Sequence, residues 1–266
     1  MCEIFCFNSN KPKQINSCLE CFYNHSEQHP HGWGLATMQS DEFVIDKEPV
    51  KASCSQHLKD ILSHPVVGKN VFAHIRLATV GEIISPNCHP FIEADDNNRS
   101  WMLIHNGTIF NYPKLDEYKD KENGDTDSER ILLYIIDKVN EFESEKGAPS
   151  TIKERFNLLN DIVVDLSKNN KLNLMIYDGD LTYIHSNMRD SLYYLKNEEG
   201  FLVATTALTD DEDWKPVELN KLFGLIDGNI IFESEEHQNE YILTEEHEKT
   251  LETFLKSIEL DENNDY

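Results

Sequence analysis

The stretch MCEIFCF at residues 1–7 gives the first indication of both fold and chemistry. If the initiator methionine is removed, Cys2 carries a thiol and a free α-amine on the same carbon. The thiolate is the nucleophilic form of cysteine, and an α-amine that titrates near pH ~8 can accept the thiol proton. The apolar residues that follow predict a strand that anchors this terminus in a sheet. Many chains begin with Met-Cys by chance, so a catalytic role for Cys2 has to be supported by motifs elsewhere in the chain.

Size and charge restrict the class of protein. The chain has 266 residues, of which 39% are hydrophobic and 10% aromatic, enough for a large hydrophobic core. The formal net charge of −25 argues against a nucleic-acid partner, because a phosphate backbone requires a basic surface. We find no apolar run long enough to cross a bilayer and no secretory signal. We therefore expect a cytoplasmic protein with no membrane and no nucleic-acid partner.

The positions of the cysteines leave a zinc or redox site open as an alternative function. The cysteines crowd the first third of the chain, and without an export signal we expect them to stay reduced. Cys18-x-x-Cys21 is compatible with a zinc or redox site, but no second such pair and no nearby histidine pair completes a zinc set. The glycine patterns GxxxxGK[ST] and GxGxxG are also missing. We expect no metal and no cofactor.

Two early segments carry candidate binding residues. In HGWG, residues 31–34, Gly32 and Gly34 flank Trp33 and allow the backbone to approach another group closely, although an ordinary turn into a strand is the simpler interpretation. Residues 70–78 predict a buried strand that contains Arg76 near its end and is followed by Thr79. An arginine there could grip a carboxylate with two hydrogen bonds or form a structural salt bridge.

Three later segments also allow two interpretations each. His89, in NCHPF at 87–91, either orients a loop or satisfies a backbone carbonyl. Asn106-Gly107 is above all a turn signal, yet a side-chain amide beside a glycine N–H also forms a pair of donors for an oxyanion. Asp127, in GDTDSE at 124–129, either supports a helix N-terminus or points into a pocket and binds an ammonium group. These segments taken one at a time do not distinguish a structural role from a functional one.

The order of predicted elements favours one domain over residues 1–266. Residues 8–30 are polar and predict an irregular loop around a short helix. Buried strands follow up to residue 105, two helices begin at about 126 and 151, and hairpin signals recur from 171 to 232. A capping box is predicted at Thr126. The last stretch predicts a helix at about 244–258 and an acidic tail from Glu259 to Tyr266. This order predicts an α+β fold with two antiparallel sheets between helical layers.

Six of these segments, in this order, resemble a class II glutamine amidotransferase domain of the N-terminal-nucleophile hydrolase superfamily. They are Met-Cys at the start, HGWG at 31–34, HIRLATVG at 74–81, NCHPF at 87–91, HNG at 105–107 and GDTDSE at 124–129. LNLMIYDG at 172–179 and ATTALTDDEDW at 204–214 are similar to stand-alone bacterial proteins of the YafJ type. The resemblance reaches about residue 235, and the segment at about 236–266 looks like an addition. It implies a four-layer αββα sandwich of two antiparallel sheets.

The resemblance also implies a role for each matching residue. Cys2 would attack the side-chain amide of glutamine or another γ-glutamyl compound, form a thioester, and use its own α-amine as the base through a water molecule. Asn106 and Gly107 match the oxyanion hole. The residues implied to bind substrate are Arg76 at the α-carboxylate with Thr79 beside it, Asp127 at the α-ammonium, Gly32, Trp33 and Gly34 in a loop over the glutamine, and His89, which shapes the site.

The sequence leaves the physiological role open. Members that make amino sugars commonly have histidine where Val80 stands, so the resemblance does not extend to that branch. No second domain that could accept ammonia is recognisable. The open functions are a glutamine amidohydrolase that feeds a separate acceptor subunit, a γ-glutamyl peptide hydrolase that works with a partner peptidase, and a non-catalytic subunit that binds a γ-glutamyl ligand.

Overall fold

The computed structural model describes residues 2–39, 42–210 and 213–262, apart from the side chains at 39 and 257–262. None of the described helices is both long and apolar enough to cross a membrane. The helices and strands are β1 (Glu3–Gln14), α1 (Asn16–Tyr23), β2 (Trp33–Gln39), β3 (Glu42–Glu48), α2 (Gln56–Leu62), β4 (Val67–Ile75), β5 (Phe91–Ala94), β6 (Ser100–Thr108), α3 (Asp127–Lys146), α4 (Ile152–Leu166), β7 (Lys171–Tyr177), β8 (Thr182–Ser186), β9 (Tyr193–Lys196), β10 (Phe201–Ala204), β11 (Lys215–Pro216), β12 (Lys221–Ile226), β13 (Asn229–Glu233) and α5 (Glu245–Glu262).

The described strands form two antiparallel sheets. One has seven strands in the order β11-β9-β10-β1-β4-β2-β3, and the other has six in the order β13-β12-β8-β7-β6-β5. Buried apolar residues form three layers: between the seven-stranded sheet and helices α1 and α2, between the two sheets, and between the six-stranded sheet and helices α3 and α4. The α+β class and the four-layer αββα architecture predicted from the sequence are confirmed.

Alternation along β1 assigns each side chain to a layer. Phe5 and Phe7 pack toward α1 and α2, whereas Ile4 and Cys6 lie between the sheets. Successive side chains on a strand point to opposite faces, so Cys2 has the same parity as the residues between the sheets. Because β1 pairs with β10 on one side and with β4 on the other, both neighbouring strands determine which side chains of β1 face the space between the sheets.

The first strand is longer than the sequence predicts. The expected loop begins at residue 8, but β1 continues to Gln14. Its register with β4 shifts between Asn8 and Lys13, and pairing resumes with Lys13 opposite Gly68. The ladder with β4 therefore overrides the weak strand propensity of the polar run NSNKPKQ.

A polar network occupies one end of the space between the sheets. The Asn8 amide nitrogen donates to Asn70 Oδ1 at 2.6 Å and to Thr182 Oγ1 at 3.2 Å, and Asn8 Oδ1 accepts from the Gly228 N–H at 2.5 Å. A buried amide is costly unless its polar atoms are hydrogen-bonded, and here both are. The network joins β1 and β4 of one sheet to β8 and the β12–β13 turn of the other.

Threonine residues cap both central helices. Thr126 accepts from Glu129 N before α3, and Thr151 forms a reciprocal capping box before α4. The capping box predicted at Thr126 is only half formed, because the Glu129 carboxylate accepts from the N–H groups of Asn123 and Gly124 instead. That carboxylate holds the loop before α3 in place.

The C-terminal helix extends into the predicted acidic tail. Helix α5 runs from Glu245 to Glu262, so it includes the start of the tail at Glu259, and residues 263–266 lie outside the described residues. In its first turn the ring of His247 stacks on Phe110 with centroids 3.7 Å apart. The helix is thereby attached to the segment that follows β6.

Arg155 on α4 forms a buried ion pair with the hairpin between β7 and β8. Its Nε lies 2.6 Å from Asp178 Oδ2 and its Nη2 lies 2.5 Å from Asp180 Oδ2, with Arg155 2% and Asp178 0% exposed. The Asp178 carboxylate also accepts from Leu181 N at 2.8 Å and from the Tyr183 hydroxyl at 2.6 Å. The hairpin predicted at residues 178–179 is present and is tied to α4.

Arg155→Met should destabilise the fold by about 3–5 kcal/mol, because the Asp178 carboxylate would stay buried without its cation. Lys153→Met removes a positive charge from an exposed position on the same helix and should cost less than about 1 kcal/mol. Urea unfolding at neutral pH measures both free energies. Equal unfolding midpoints for the two variants would contradict the stated role of the ion pair.

Candidate active site

The predicted nucleophile and its neighbours lie at one end of the space between the sheets. Cys2 directly precedes β1, Arg76 directly follows β4, Asn106 lies near the end of β6, and Thr205 directly follows β10. Four residues on the same strands, Ile4, Phe72, Ile104 and Val203, pack between the sheets. Each of the four site residues lies an even number of positions from one of them. Because side chains on a strand alternate between its two faces, the site residues face the same layer.

Cys2 is the most accessible thiol near this end. It is half-buried, and its Sγ donates to Leu77 O at 3.4 Å, beside the segment that follows β4. Two neighbouring thiols are poorer nucleophiles, because burial raises the pKa of Cys88 to about 11 and also raises the pKa of Cys6. Met1, whose removal would create the predicted base, lies outside the described residues.

Arg76 is 3% exposed and donates to backbone carbonyls, where the sequence predicts a carboxylate partner. Nη1 lies 2.8 Å from Glu82 O, and Nη2 lies 2.9 Å from Val80 O and 3.2 Å from Gly81 O. Burial lowers the pKa of Arg76, and nearby negative charges, that of Cys2 first, oppose the change. The guanidinium thus holds the segment at 80–82 against the end of β4.

Thr79 and Asp127 lie around the end of β6. Thr79 Oγ1 is 3.2 Å from Thr108 Oγ1, the last residue of that strand. Asp127 is the first residue of α3 and 7% exposed; its Oδ2 accepts from Ile109 N at 2.8 Å and its Oδ1 from the Ser128 hydroxyl at 3.3 Å. The carboxylate is therefore fixed beside β6, and its negative charge acts on the guanidinium described above.

Asn106 and Gly107 belong to β6, so the interpretation of this Asn-Gly pair as a turn is wrong. Asn106 Nδ2 donates to the Thr205 hydroxyl at 3.3 Å, and Asn106 Oδ1 accepts from Lys171 Nζ at 3.0 Å. A Cβ at position 107 would lie 2.0 Å from Lys171 O and 2.3 Å from His105 Nε2. Close packing against β7 therefore requires the glycine, and hydrogen bonds on both sides orient the asparagine amide.

The glycines of HGWG allow close approach to the NCHPF segment. A Cβ at Gly34 would lie 1.8 Å from His89 O, and a Cβ at Gly32, where φ is +147°, would lie 2.7 Å from Cys88 Sγ. Trp33 and Gly34 begin β2, so the expectation that they form a loop over the glutamine is wrong. The Trp33 ring is buried on the helix side of the sheet, near Tyr23, and does not join the other predicted residues.

His89 belongs to a buried histidine group that extends from β4 to the outer side of β6. Its ring stacks on His74 with centroids 3.9 Å apart, and its Nδ1 accepts from His105 N at 3.1 Å. His105 Nδ1 lies 2.9 Å from Ser128 Oγ, which joins β6 to α3. Burial lowers the pKa of all three histidines, so they are neutral at neutral pH. His89 therefore positions β6 just before Asn106.

Lowering the pH below ~6.5 should destabilise the fold, because the unfolded chain protonates its histidines near that pH and the buried ones resist protonation. Since their folded-state pKa lies below the unfolded-state value, their contribution to stability is complete above ~6.5 and is lost as the pH falls. Each histidine contributes at most about 1.4 kcal/mol per pH unit. Urea unfolding at about pH 7.5, 6.5 and 5.5 measures the slope.

Two variants test whether the buried histidines cause the dependence of the free energy of unfolding on pH. His74→Phe keeps an aromatic ring against His89 and should reduce the slope, whereas His64→Gln, at an exposed position, should leave it unchanged. A stability that stays constant across this pH range would contradict the assignment of neutral buried histidines.

Two residues at this end were not predicted from the sequence. Lys171, the first residue of β7, is 2% exposed, and Thr205 accepts from Ile4 N at 3.0 Å as well as from the Asn106 amide. A lysine before an apolar run is normally a solvated strand end. The burial of Lys171 could have been predicted from strand alternation, because Lys171 lies four residues before Met175, which packs between the sheets.

The Cys18-x-x-Cys21 pair lies on α1, on the outer side of the seven-stranded sheet. Across the part of the chain that the structure describes, no group of three or more His, Cys, Asp or Glu side chains is arranged to hold a metal ion. Within those residues the pair therefore lacks the additional ligands that a zinc site requires.

Comparison with solved structures identifies proteins with the same fold. A predicted glutamine amidotransferase from Pseudomonas aeruginosa superposes with a TM-score of 0.61 at 19% identity, covering 86% of this chain and 99% of that one. The glutamine phosphoribosylpyrophosphate amidotransferase of B. subtilis superposes with a TM-score of 0.62 at 18% identity, covering 87% and 48%. The chain therefore has the same fold as these two amidotransferases.

Sequence comparison then gives the family. The family model for class II glutamine amidotransferases matches residues 1–201. An uncharacterised protein of Methanocaldococcus jannaschii is 30% identical over 261 residues, covering 87% of this chain and 71% of the relative. The putative glutamine amidotransferase YafJ of Escherichia coli is 26% identical over 215 residues, covering 80% and 82%. The chain belongs to the class II glutamine amidotransferase family.

Proposed function

We propose that the protein hydrolyses the side-chain amide of glutamine, or of a related γ-glutamyl compound, with Cys2 as the nucleophile. One observation carries the proposal. The half-buried thiol lies two residues before Ile4, whose N–H shares the Thr205 hydroxyl with the Asn106 amide. The Thr205 hydroxyl thus contacts both the strand that follows the proposed nucleophile and the amide that we propose as an oxyanion donor. Membership of the family supports the same class of reaction.

The reaction would proceed through a covalent intermediate. The α-amine of Cys2, freed by removal of Met1, takes the thiol proton through a water molecule, and the thiolate attacks the amide carbonyl carbon. The C–N bond then breaks, the proton passes to the leaving nitrogen, and ammonia or an amine departs from a γ-glutamyl thioester. Water attacks the thioester with the amine as base, which releases the carboxylate and restores the thiol.

Asn106 and Gly107 would stabilise the oxyanion in both steps. A carboxamide nitrogen has two N–H donors, and the Asn106 amide gives one to Thr205. The other would be directed to the substrate together with the Gly107 N–H. Loss of one such donor typically raises the activation free energy by about 3–4 kcal/mol.

Arg76 and Asp127 would bind the amino-acid end of the substrate. Their opposite charges match the α-carboxylate and the α-ammonium group, and both side chains are held in place by backbone contacts. A guanidinium has five N–H donors, so the contacts of Arg76 with the segment at 80–82 do not exhaust its capacity. Thr79 and His89 would support this pocket through Thr108 and the start of the HNG segment.

Cys2→Ala should abolish hydrolysis of glutamine and of γ-glutamyl amides while leaving the unfolding temperature unchanged. Removing a covalent nucleophile typically lowers kcat by at least about 10³-fold. Cys54→Ala, at an exposed thiol, is the matched control and should be fully active. Wild-type activity in Cys2→Ala would refute the proposal.

Intact mass before and after exposure to a diazo-ketone analogue of glutamine tests processing and substrate class together. Loss of Met1 plus one adduct on Cys2 is the expected result. Loss of Met1 without labelling, combined with turnover of a γ-glutamyl dipeptide, would restrict the substrate to γ-glutamyl peptides. Retained Met1 with neither labelling nor turnover would favour the non-catalytic binding role.

Asp127→Asn should weaken recognition of the α-ammonium while keeping an oxygen for the Ile109 N–H. The wild type should have a higher kcat/KM for glutamine than for its desamino analogue. In the variant the ratio of these two kcat/KM values should fall about tenfold or more. Asp161→Asn, exposed on α4, is the control. An unchanged preference would remove Asp127 from the substrate site.

A further inference from the structure

Lys171 lies where few lysines are found. It is 2% exposed, begins β7, and its Nζ reaches Asn106 Oδ1 at 3.0 Å between the sheets. Lysine is almost never fully buried unless it is paired, so the position calls for a physical role. The proposed mechanism assigns none to it.

Lys171 determines which way the Asn106 amide faces. An ammonium group has three donors and no acceptor, so the Asn106 atom that it contacts must be the oxygen. The usual ambiguity between amide oxygen and nitrogen is thereby removed. The nitrogen then faces Thr205, whose hydroxyl also accepts from Ile4 N, two residues after Cys2.

Lys171 also interacts electrostatically with the proposed nucleophile. Burial lowers the pKa of Lys171 to about 8, and the negative charge of the Cys2 thiolate opposes this change. The attraction is mutual, because an ammonium and a thiolate at the same end of the layer between the sheets carry opposite charges. At neutral pH a lysine with this pKa remains mostly protonated, and the ammonium is present when the nucleophile is needed.

Other titratable groups surround this pair. Arg76, at the end of β4, is a second buried cation whose pKa responds to the charge of Cys2. Cys88 is buried beside the same arginine, and burial raises its pKa to about 11. On the outer side of β6 burial lowers the pKa of His105, with the charge of Asp127 opposing the change. Removing Lys171 alone would therefore leave Arg76 and, once Met1 is removed, the α-amine of Cys2 near the thiol, and a neutral histidine behind Asn106.

We propose that Lys171 is a positioning residue of the catalytic site, which aims the Asn106 N–H toward the reacting carbonyl and stabilises the Cys2 thiolate. The first role rests on the proposed function, because it concerns the oxyanion of the amide reaction. The second concerns the thiol alone and holds whatever the substrate is. Each role has its own measurement.

The first measurement is the rate at which iodoacetamide alkylates Cys2 between about pH 6 and 10. This neutral reagent reacts with the thiolate, so the rate follows the thiolate fraction, and peptide mass mapping separates Cys2 from the other cysteines. In Lys171→Met, alkylation near pH 7.5 should fall about tenfold and the rate curve should move up by about one pH unit. Lys168→Met, exposed three residues earlier, should match the wild type.

Lys171→Gln separates charge from hydrogen bonding. Its amide can still donate to Asn106 Oδ1 but carries no charge, so its alkylation curve should shift as in Lys171→Met. Its kcat for glutamine near pH 7, where Lys171 of the wild type is mostly protonated, should stay near wild type after division by the thiolate fraction from the alkylation curve, whereas that of Lys171→Met should be about tenfold lower or more. Lys171→Gln also decides the charge question if the methionine variant does not fold.

Failure of this inference can be told apart from failure of the proposed function. A wild-type alkylation curve in both variants would overturn the thiolate role, whatever the activity. Equal kcat in folded Lys171→Met and wild type near pH 7, after the same division by thiolate fraction, would overturn the positioning role. If the wild type lacks amidase activity but its Cys2 reactivity depends on Lys171, the proposed function fails and the thiolate role stands.

Discussion

The pairing of β1 with two neighbours is the constraint on which the rest of the structure depends. β1 lies between β10 and β4, and four consecutive residues from Phe5 to Asn8 pair with both strands. A slip of one residue on either side would exchange the faces of every side chain in the strand. It would move Ile4 and Cys6 toward the helices and bring Phe5 and Phe7 between the sheets. The position of Cys2 follows from the same register.

The space between the sheets changes character along its length. Its middle is apolar, with Ile4, Phe72 and Met175 in contact. At one end the Asn8 network connects the sheets through neutral amides and a hydroxyl. At the other end cationic and reactive side chains collect, and buried charge is costly unless it is compensated. The candidate active site is therefore the part of this layer where the apolar packing stops.

The sequence predicts the fold well because its signals are local and repeated. Short apolar runs predict β4 and β6, helical periodicity predicts α3 and α4 with a cap at Thr126, and the motifs predict chemistry near Cys2. It fails where tertiary contacts override local preference, as in the polar second half of β1 and at Asn106-Gly107, which a neighbouring strand holds extended. Lys171 escapes detection for a related reason, since its burial depends on a hydrogen bond from β7 to β6 and on packing against the opposite sheet.

The route of hydrogen bonds from Lys171 through Asn106 and Thr205 to Ile4 crosses from one sheet to the other. Its length is set by the gap between the sheets, so the alignment of the proposed oxyanion donor with the proposed nucleophile depends on the distance between the two sheets. A relative sliding of the two layers would break the route while both ladders stayed intact. The proposed reaction therefore requires the two layers to keep their spacing, so we expect substrate to enter through the connecting segments at the rim.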